Sequence, residues 1–526
     1  MPRTLPIGKG CVFWLKRPIL KFLPRILPTS WRMRKHASDW ATRYIRLCRR
    51  ADLRLLPLSY SPMQNDKRKS TGRHIHLIGI KGVGMTALAQ VLKARGNRVS
   101  GSDVRDTFFT DAVLQRAHIP VRAFSAHNIS RGVDLAVYST AYSEKHPERR
   151  AVKKLGIPSK SYPEMLGELL GEGKGIAVAG SHGKTTTTAM LGYVLAQARL
   201  DPTVIVGSNV PQFKGNARIG APHLTIIEAD EYQNKFQFYH PFGIVLTNVD
   251  YDHPDYFPNK RAYEVVFKEF VKKIPQDGFL ITNADDAPSR RIVHLAKSRT
   301  ITFGIAMPAH VQARKVQTAR GGSECEVWCE GKRIGSLHLR LSGAHHIANA
   351  LAVLAAARQL GVPYAAAIKT LARFSGTERR FQKKGVYRGA LMYDDYAHHP
   401  TEIAATLHAA RAQFPQRRVV CVFHPHTFSR TQALFKGFVK SLAIADAAWV
   451  MDIYGSAREL HGSVHAQDIV EHLRKRKCNA VYVGSVATAT AYAKTHLQKN
   501  DLLITMGAGD VWKVGAALIK KNIFLK

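Results

Sequence analysis

Short apolar runs alternate with helix-forming stretches along the chain beyond residue 73, and the runs that stand out end in glycine, acid or histidine. His74-Ile-His-Leu-Ile78 reads as a buried strand entering the turn Gly79-Ile-Lys-Gly82-Val-Gly84-Met85, and Thr86 to Ala94 then has helical character, closed by Gly96. Arg98 to Ser100 predicts the next strand, with Asp103 at its carboxyl end. Leu135 to Ser139 predicts a strand, Glu144 to Leu155 a helix, and Ile157-Pro158 opens a further element. Ile176 to Ala179 predicts a strand and Ala189 to Ala198 a helix. Leu224 to Ile227 and Ile244 to Asn248 are two more apolar strands. Strands and helices in this alternation predict an α/β fold built on parallel sheets.

Composition bounds the architecture. With 526 residues, 45% of them hydrophobic, the chain exceeds what one core holds, and two to four domains are expected. Six scattered cysteines, of which only Cys325 and Cys329 lie close, predict neither a disulfide framework nor a paired-cysteine zinc site, and fit a reducing, cytoplasmic compartment. The formal net charge is +40. Residues 1–70 carry 17 lysines and arginines against three aspartates, which is +14 of that total. This segment reads in three ways: an arginine-rich arm that touches RNA or anionic lipid, a targeting segment, or sequence translated upstream of a start at Met63. Its apolar stretches, Phe13 to Leu15 and Ile19 to Leu27, are broken by charges and prolines, so no membrane span is expected. The other +26 spreads over the folded part, where it attracts polyanionic substrates and, without specificity, nucleic acid.

Candidate chemistry concentrates in Gly180-Ser-His-Gly-Lys-Thr-Thr-Thr-Thr188. Strand, glycine turn, lysine, hydroxyl and helix describe a cradle for nucleotide phosphates: turn amides and the helix N-terminus face the anion, Lys184 adds a point charge, and Thr185 offers a hydroxyl to Mg²⁺. Val178 stands where the standard phosphate loop has its first glycine, so this is a short form. Glu228-Ala-Asp-Glu231 and Val249-Asp-Tyr-Asp-His253 follow two of the apolar strands, at the sheet edge where Lys184 and Thr185 must also lie. Glu228 and His253 are therefore the leading metal ligands together with Thr185. The glycines of the Gly79 turn, with Asp103 poised for a ribose hydroxyl, suit NAD or another nucleotide, and spacing alone does not decide between them.

From about His74 to Gly515 the chain resembles the Mur ligase family of ATP-dependent amide-bond-forming enzymes. The resemblance lies in Gly79-x-x-Gly-x-Gly-Met85, Ser100-Gly-Ser-Asp103, Ala179-Gly-Ser-His-Gly-Lys-Thr-Thr186 and Glu228-Ala-Asp-Glu231. Gly343-Ala-His-His-Ile-Ala-Asn349-Ala-Leu351 and Thr377-Glu-Arg-Arg-Phe381 continue it. Its most diagnostic part is Asp394-Asp-Tyr-Ala-His-His-Pro-Thr-Glu402, Phe423-His-Pro-His-Thr-Phe-Ser-Arg-Thr431, Asp452-Ile-Tyr454 and Thr505-Met-Gly-Ala-Gly-Asp510.

The resemblance implies three domains after a basic extension (1–73): a Rossmann-like domain holding a UDP-sugar (74–171), a central P-loop ATPase-type domain with a parallel or mixed sheet (172–376), and a Rossmann-like C-terminal domain bringing the amino acid (377–526). Gly79, Gly82, Gly84 and Asp103 then face UDP, which turns the NAD reading into a sugar-nucleotide one. Gly180, Ser181, His182, Gly183, Lys184, Thr185 and Thr186 bind ATP, with Asn349 and Asp395 near the adenosine and Arg380 on the terminal phosphate. Thr185, Glu228 and His253 hold magnesium, and Tyr396, His398, His426 and Arg430 surround the amino acid. Lys184, Glu228, His253, Arg380 and His398 form the implied catalytic set, His398 as proton acceptor.

The implied substrates are UDP-N-acetylmuramate and L-alanine. Pro425-His426 and Gly507 to Asp510 differ from the relative that recycles murein tripeptide, and a ligase for glycine or serine is a nearer alternative. No specific nucleic acid is expected, and both monomer and dimer remain open. An RNA-associated ATPase would use the positive charge directly but finds no recognition module here; an NAD oxidoreductase leaves Gly180 to Thr188 unexplained. The chain departs from the family pattern in three places near substrates: His346 for an asparagine at adenine, Thr427 for an arginine beside His426, and Ser181 for threonine. Lys268, near where other members carry a metal-bridging modified lysine, is expected to be a surface residue.

Overall fold

The computed structural model describes residues 72–319, 321–455, 459 and 461–520, so the basic arm and its three readings lie outside the described residues. Three sheets follow one another along the chain. In the first, all strands are parallel, in the order Val121–Ala123, Arg98–Asp103, His74–Ile78, Leu135–Tyr138, Ser159–Ser161. His74–Ile78 takes the centre because it is apolar on both faces: Ile75 and Leu77 join one core, Ile78 another.

The helix after the glycine turn spans Val83–Ala94, three residues earlier than the pattern predicts, because Gly84 enters the helix itself. A Cβ there would lie 2.6 Å from the Tyr162 hydroxyl, so glycine is what lets helix and neighbouring layer close. The expected helix from Glu144 shortens to Pro147–Lys154, since proline suits only the first helical turn and the residues before it form a turn. Its Glu148 is fully buried and tied to Ser102 Oγ, to Ser125 N (3.0 Å) and to Asn128 Nδ2 (2.7 Å).

The central sheet has ten strands. Arg299–Gly304, Phe279–Asn283, Gly243–Leu246, Lys174–Ala179, Ala221–Glu228 and Pro202–Val210 lie side by side in parallel. Val311–Ala319, Gly322–Cys329 and Lys332–Leu339 extend one edge, the last two antiparallel, and Gly215–Arg218 closes the other. Ile176 and Val178 face the core under helices Lys184–Gln197 and Ala344–Gln359, while Ala177 and Ala179 face the core under Lys260–Lys272. Burial on both faces explains why these strands read as continuous apolar runs.

The helix predicted from Ala189 begins at Lys184, directly after Gly183 (φ 81°). Four β-branched threonines do not read as a helix start, yet all four are buried in its first turns.

The third sheet runs Gln382–Tyr387, Ala390–Asp395, Asp501–Met506, Arg418–Phe423, Ala447–Met451, Ala480–Gly484, with only the first strand antiparallel. The fold is thus α/β with parallel and mixed sheets, as the alternation predicts. Among the described residues no helix is long and apolar enough to cross a membrane.

Burial works against the Glu148 charge, but bonds from His76, Ser102, Ser125 and Asn128 prevail and lower its pKa. Replacing Glu148 by Gln removes the charge while keeping the shape, and urea unfolding at neutral pH should show a loss of ~1–3 kcal/mol. Because the native carboxyl titrates below its unfolded value, the difference from wild type is full above the unfolded pKa and shrinks as pH falls through the native one.

Candidate active site

The carboxyl ends of three neighbouring central strands, Lys174–Ala179, Ala221–Glu228 and Gly243–Leu246, meet at one edge. The phosphate loop leaves the first. Its two glycines are fixed by their surroundings: a Cβ on Gly180 (φ 130°) would lie 2.1 Å from Thr247 Oγ1, and one on Gly183 would lie 2.6 Å from Asn349 Oδ1. Asn349, expected near adenosine, therefore sits against the loop. Asn248 braces the loop by accepting from Ser181 N (3.1 Å, at its carbonyl) and from His182 N (2.9 Å, at Oδ1). The Ser181 hydroxyl donates to Asp250 O (2.6 Å) and lies 2.8 Å from the Tyr263 hydroxyl. Lys184 Nζ donates to Gly180 O and Ser181 O and pairs with Glu231 Oε2 at 2.9 Å. Burial opposes its charge, but Glu231, Asp230 and Glu228 outweigh that and raise the Lys184 pKa. Thr186 is buried in the first turn of the helix.

Thr185 Oγ1 donates to Glu228 Oε1 at 2.8 Å, and Glu228 Oε2 accepts from Gly207 N at 2.8 Å. His253 (φ 55°) stands with a different pair of acids: its ligand atoms and those of Asp230 and Glu231 lie within 4.8 Å of one another. Its Nε2 is 3.9 Å from Glu231 Oε1, and its Nδ1 is buried without a hydrogen-bond partner. Of the expected metal ligands, the structure joins Thr185 to Glu228 and sets His253 beside Glu231, the residue that also holds Lys184. A hydroxyl, three carboxylates and an imidazole at one sheet edge are a donor set that fits a hard divalent cation. Asp230 and Glu231 belong to the Glu228-Ala-Asp-Glu231 motif, whose pattern alone assigns them no role. Tyr263, which donates to Glu231 Oε1 at 2.9 Å, carries no sequence signal beyond its place on an amphipathic helix.

Groups from the third sheet reach this edge. Arg380 Nη2 donates to Thr185 Oγ1 at 3.4 Å, and its guanidinium lies 5.3 Å from the centre of the Tyr396 ring. Asp395 holds the Arg380 segment from beneath, accepting from Phe381 N (2.8 Å), Ala397 N (2.7 Å) and Thr406 Oγ1 (3.1 Å); burial, opposed by Arg380, raises its pKa to about 6. His398 Nδ1 lies 3.0 Å from Tyr396 O, and its backbone N–H donates to Glu402 Oε2 at 3.1 Å. Burial pushes the His398 pKa down to about 4, so the ring is neutral.

Glu402, to which the sequence pattern assigns no role, also meets His182 Nδ1 (3.3 Å) and Arg380 Nη1 (3.9 Å). His182 is buried, but Asp250 and Glu402 prevail and raise its pKa to about 9. Arg430 Nε donates to Asp252 Oδ1 at 2.7 Å, with both side chains at most 6% exposed, and Arg430 Nη1 donates to His426 O at 2.9 Å. His426 stacks on Tyr454, with centroids 5.7 Å apart.

At the carboxyl edge of the first sheet, Asp103 accepts from Lys81 N (2.6 Å), Val104 N (2.8 Å) and the Tyr142 hydroxyl (3.3 Å). A Cβ on Gly79 (φ 83°) would lie 2.5 Å from the Tyr142 ring, so Gly79 and Asp103 share this tyrosine, whose pKa is pushed up to about 12 by burial and then Asp103. Gly82 N–H closes the turn onto Gly79 O at 3.3 Å, while Gly84 serves packing. Tyr142 gave no signal in sequence. Of the three departures, His346 is buried with Nδ1 lacking a partner and its pKa well down, through burial and then His345. Thr427 is buried, and Ser181 keeps the hydroxyl that its bonds need. Lys268, expected at the surface, is half-buried on helix Lys260–Lys272.

Comparison with known proteins matches this arrangement along its length. Residues 74–174 match the profile described as Mur ligase family, catalytic domain, residues 178–357 the Mur ligase middle domain, and residues 379–509 the Mur ligase, glutamate ligase domain. A UDP-N-acetylmuramate–L-alanine ligase of Desulfitobacterium hafniense is 45% identical over 448 residues, covering 85% of this chain and 99% of the relative. One of Alkaliphilus metalliredigens is 40% identical, covering 86% and 98%. Among solved structures, the UDP-N-acetylmuramate-alanine ligase of Thermotoga maritima superposes with a TM-score of 0.73 at 28% identity, covering 86% of this chain and all of that one. A murein peptide ligase of Psychrobacter arcticus gives 0.67 at 25% identity, covering 85% and 98%.

The Arg430–Asp252 pair generates a stability test. Asp252→Ala leaves a buried guanidinium unpaired and should cost ~3–5 kcal/mol, whereas Asp252→Leu combined with Arg430→Met should recover most of that loss. Thermal unfolding of the two variants and wild type checks the ordering.

Proposed function

The chain belongs to the Mur ligase family, and we infer that within it the protein is an ATP-dependent ligase joining L-alanine to UDP-N-acetylmuramate, a step of peptidoglycan precursor synthesis. The observation that carries the mechanistic reading is the bond from Arg380, in the third layer, to Thr185 in the phosphate loop. It brings the nucleotide loop and the amino-acid groups into one reaction centre.

A carboxylate is a poor acylating agent. The muramyl carboxylate attacks the γ-phosphorus of ATP, ADP departs, and an acyl phosphate forms. The amine of alanine then attacks the acyl carbon and inorganic phosphate leaves. In the first step two anions approach, and Lys184 and Arg380 offset their repulsion by standing on the terminal phosphate. Magnesium held by Thr185, Glu228 and the His253 cluster supplies further positive charge there. Asp395 keeps the Arg380 segment in reach, and Asn349 with the buried, unpartnered His346 Nδ1 offers hydrogen bonds to the adenine end.

In the second step a proton must leave the attacking amine. The Tyr396 carbonyl can only accept, so His398 carries its proton on Nδ1 and presents the Nε2 lone pair. Its low basicity suits it to take the acidic proton of the nitrogen as the C–N bond forms, rather than that of free alanine. Tyr396, His426 and Arg430 line the amino-acid side, and Arg430 keeps N–H groups beyond those given to Asp252 and His426. In the first layer Gly79, Gly82 and Asp103, with Tyr142, take the UDP moiety. Residues 74–171, 172–376 and 377–526 then act as sugar-nucleotide, ATP and amino-acid domains. Nucleotide-activated substrates place the reaction in the cytoplasm.

Phosphate release by the full chain with ATP, Mg²⁺ and UDP-N-acetylmuramate should depend on L-alanine and exceed that with glycine or L-serine. Release only with free murein tripeptide would reassign the protein to recycling. Lys184→Ala should abolish turnover and leave UDP-N-acetylmuramate affinity nearly unchanged; wild-type turnover in that variant would overturn the ATP site.

A further inference from the structure

Three side chains converge where the phosphate loop touches the third layer: His182 from the loop, Asp250 from the segment after Gly243–Leu246, and His399 at the N-cap of helix Pro400–Gln413. Their ligand atoms all lie within 4.8 Å of one another. His182 Nε2 is 3.1 Å and His399 Nδ1 3.7 Å from the same oxygen, Asp250 Oδ2. Zinc binds imidazole nitrogen and carboxylate oxygen at about 2.0–2.2 Å, so tetrahedral ligands stand roughly 3.3 Å apart, between these two values.

The outward nitrogens strengthen the case. His182 Nδ1 meets the Glu402 carboxylate at 3.3 Å, and His399 Nε2 meets the Tyr251 carbonyl at 3.2 Å. A carbonyl only accepts, so His399 carries its proton on Nε2 and turns the Nδ1 lone pair toward Asp250. Ligating histidines characteristically hold their second N–H in this way, on a carboxylate or a backbone carbonyl.

We propose that His182, Asp250 and His399 bind a divalent transition-metal ion of the zinc class, at a site separate from the magnesium site around Thr185, Glu228 and His253. Two imidazoles and one carboxylate favour Zn²⁺ or Co²⁺ over Mg²⁺. The Asp250 side chain, 40% exposed, gives access and leaves the fourth position to water. The ion replaces the proton that His182 shares with its carboxylates. Thr401, whose hydroxyl donates to Asp250 Oδ2 (2.6 Å) and whose N–H approaches His399 Nδ1 (3.3 Å), keeps the first contact and yields the second. With ligands on both layers, the ion ties the phosphate loop to helix Pro400–Gln413. The proposal does not depend on which amino acid the enzyme uses.

The chelator-treated full chain is titrated with Zn²⁺ in millimolar Mg²⁺ by calorimetry, and with Co²⁺ by visible absorption. Zn²⁺ binding that Mg²⁺ does not displace, with a Co²⁺ ligand-field band, is expected. His399→Gln should weaken it about 100-fold or more, and Glu402→Gln about 10–100-fold. Circular dichroism verifies folding, and Asp250→Asn carries the same test if His399→Gln does not fold. Absence of such binding overturns the proposal, as does binding lost in His253→Gln but unchanged in His399→Gln and Asp250→Asn.

Discussion

The Arg430–Asp252 ion pair is the constraint on which the arrangement of the site depends. Apolar contact between layers is non-directional and would tolerate many registers. Two opposite charges buried together tolerate one, because an offset that separates them leaves each desolvated and unpaired. With Arg430 seated on Asp252, the helix that begins at Pro400 is brought to the phosphate loop, Glu402 meets His182, and Arg380 reaches Thr185. Asp252 directly precedes His253, so the same pair anchors the segment that presents the imidazole to Asp230 and Glu231.

Around this anchor the acids and bases are divided by their surroundings. Glu402 faces two imidazoles and a guanidinium, and although burial opposes its charge, these hold its pKa well below the carboxylate range. His182 lies between two carboxylates and takes a proton; His398, a few residues from Glu402 but held by a carbonyl in a dry setting, does not. One carboxylate thus touches a charged histidine and a neutral one. The first is an electrostatic brace for the loop, and the second, neutral, keeps a ring-nitrogen lone pair free of a proton.

What was legible in sequence is what local chain geometry determines. The Gly180 loop reads directly because the turn demands glycine at two positions with positive φ, and Glu228 reads because a strand end in a parallel sheet places it beside Thr185. The start of helix Lys184–Gln197 did not read, since the interaction that settles it is burial of four threonines that have poor helical propensity alone. Partners joined only by tertiary contact were also hidden. Glu402 lies 220 residues from His182, and Arg430 lies 178 from Asp252. Tyr142 belongs to the Asp103 site through a turn whose residues show no pattern. The acids after Glu228 were visible, but their division between Lys184, Lys235 and His253 follows from how the chain bends beyond the strand.

The bracing of the loop by Asn248 carries a further meaning. Two amides that a longer loop would turn toward an anion, those of Ser181 and His182, are already engaged with that one residue, the first at its carbonyl and the second at its side chain. On the proposed reading, the backbone cradle is too small to tame a triphosphate by itself, and the missing positive charge arrives on Arg380 from another layer. An abbreviated loop then works as a safety interlock: the phosphoanhydride bond stays intact until the chain has folded over both reactants, and stray hydrolysis is suppressed by what the loop lacks.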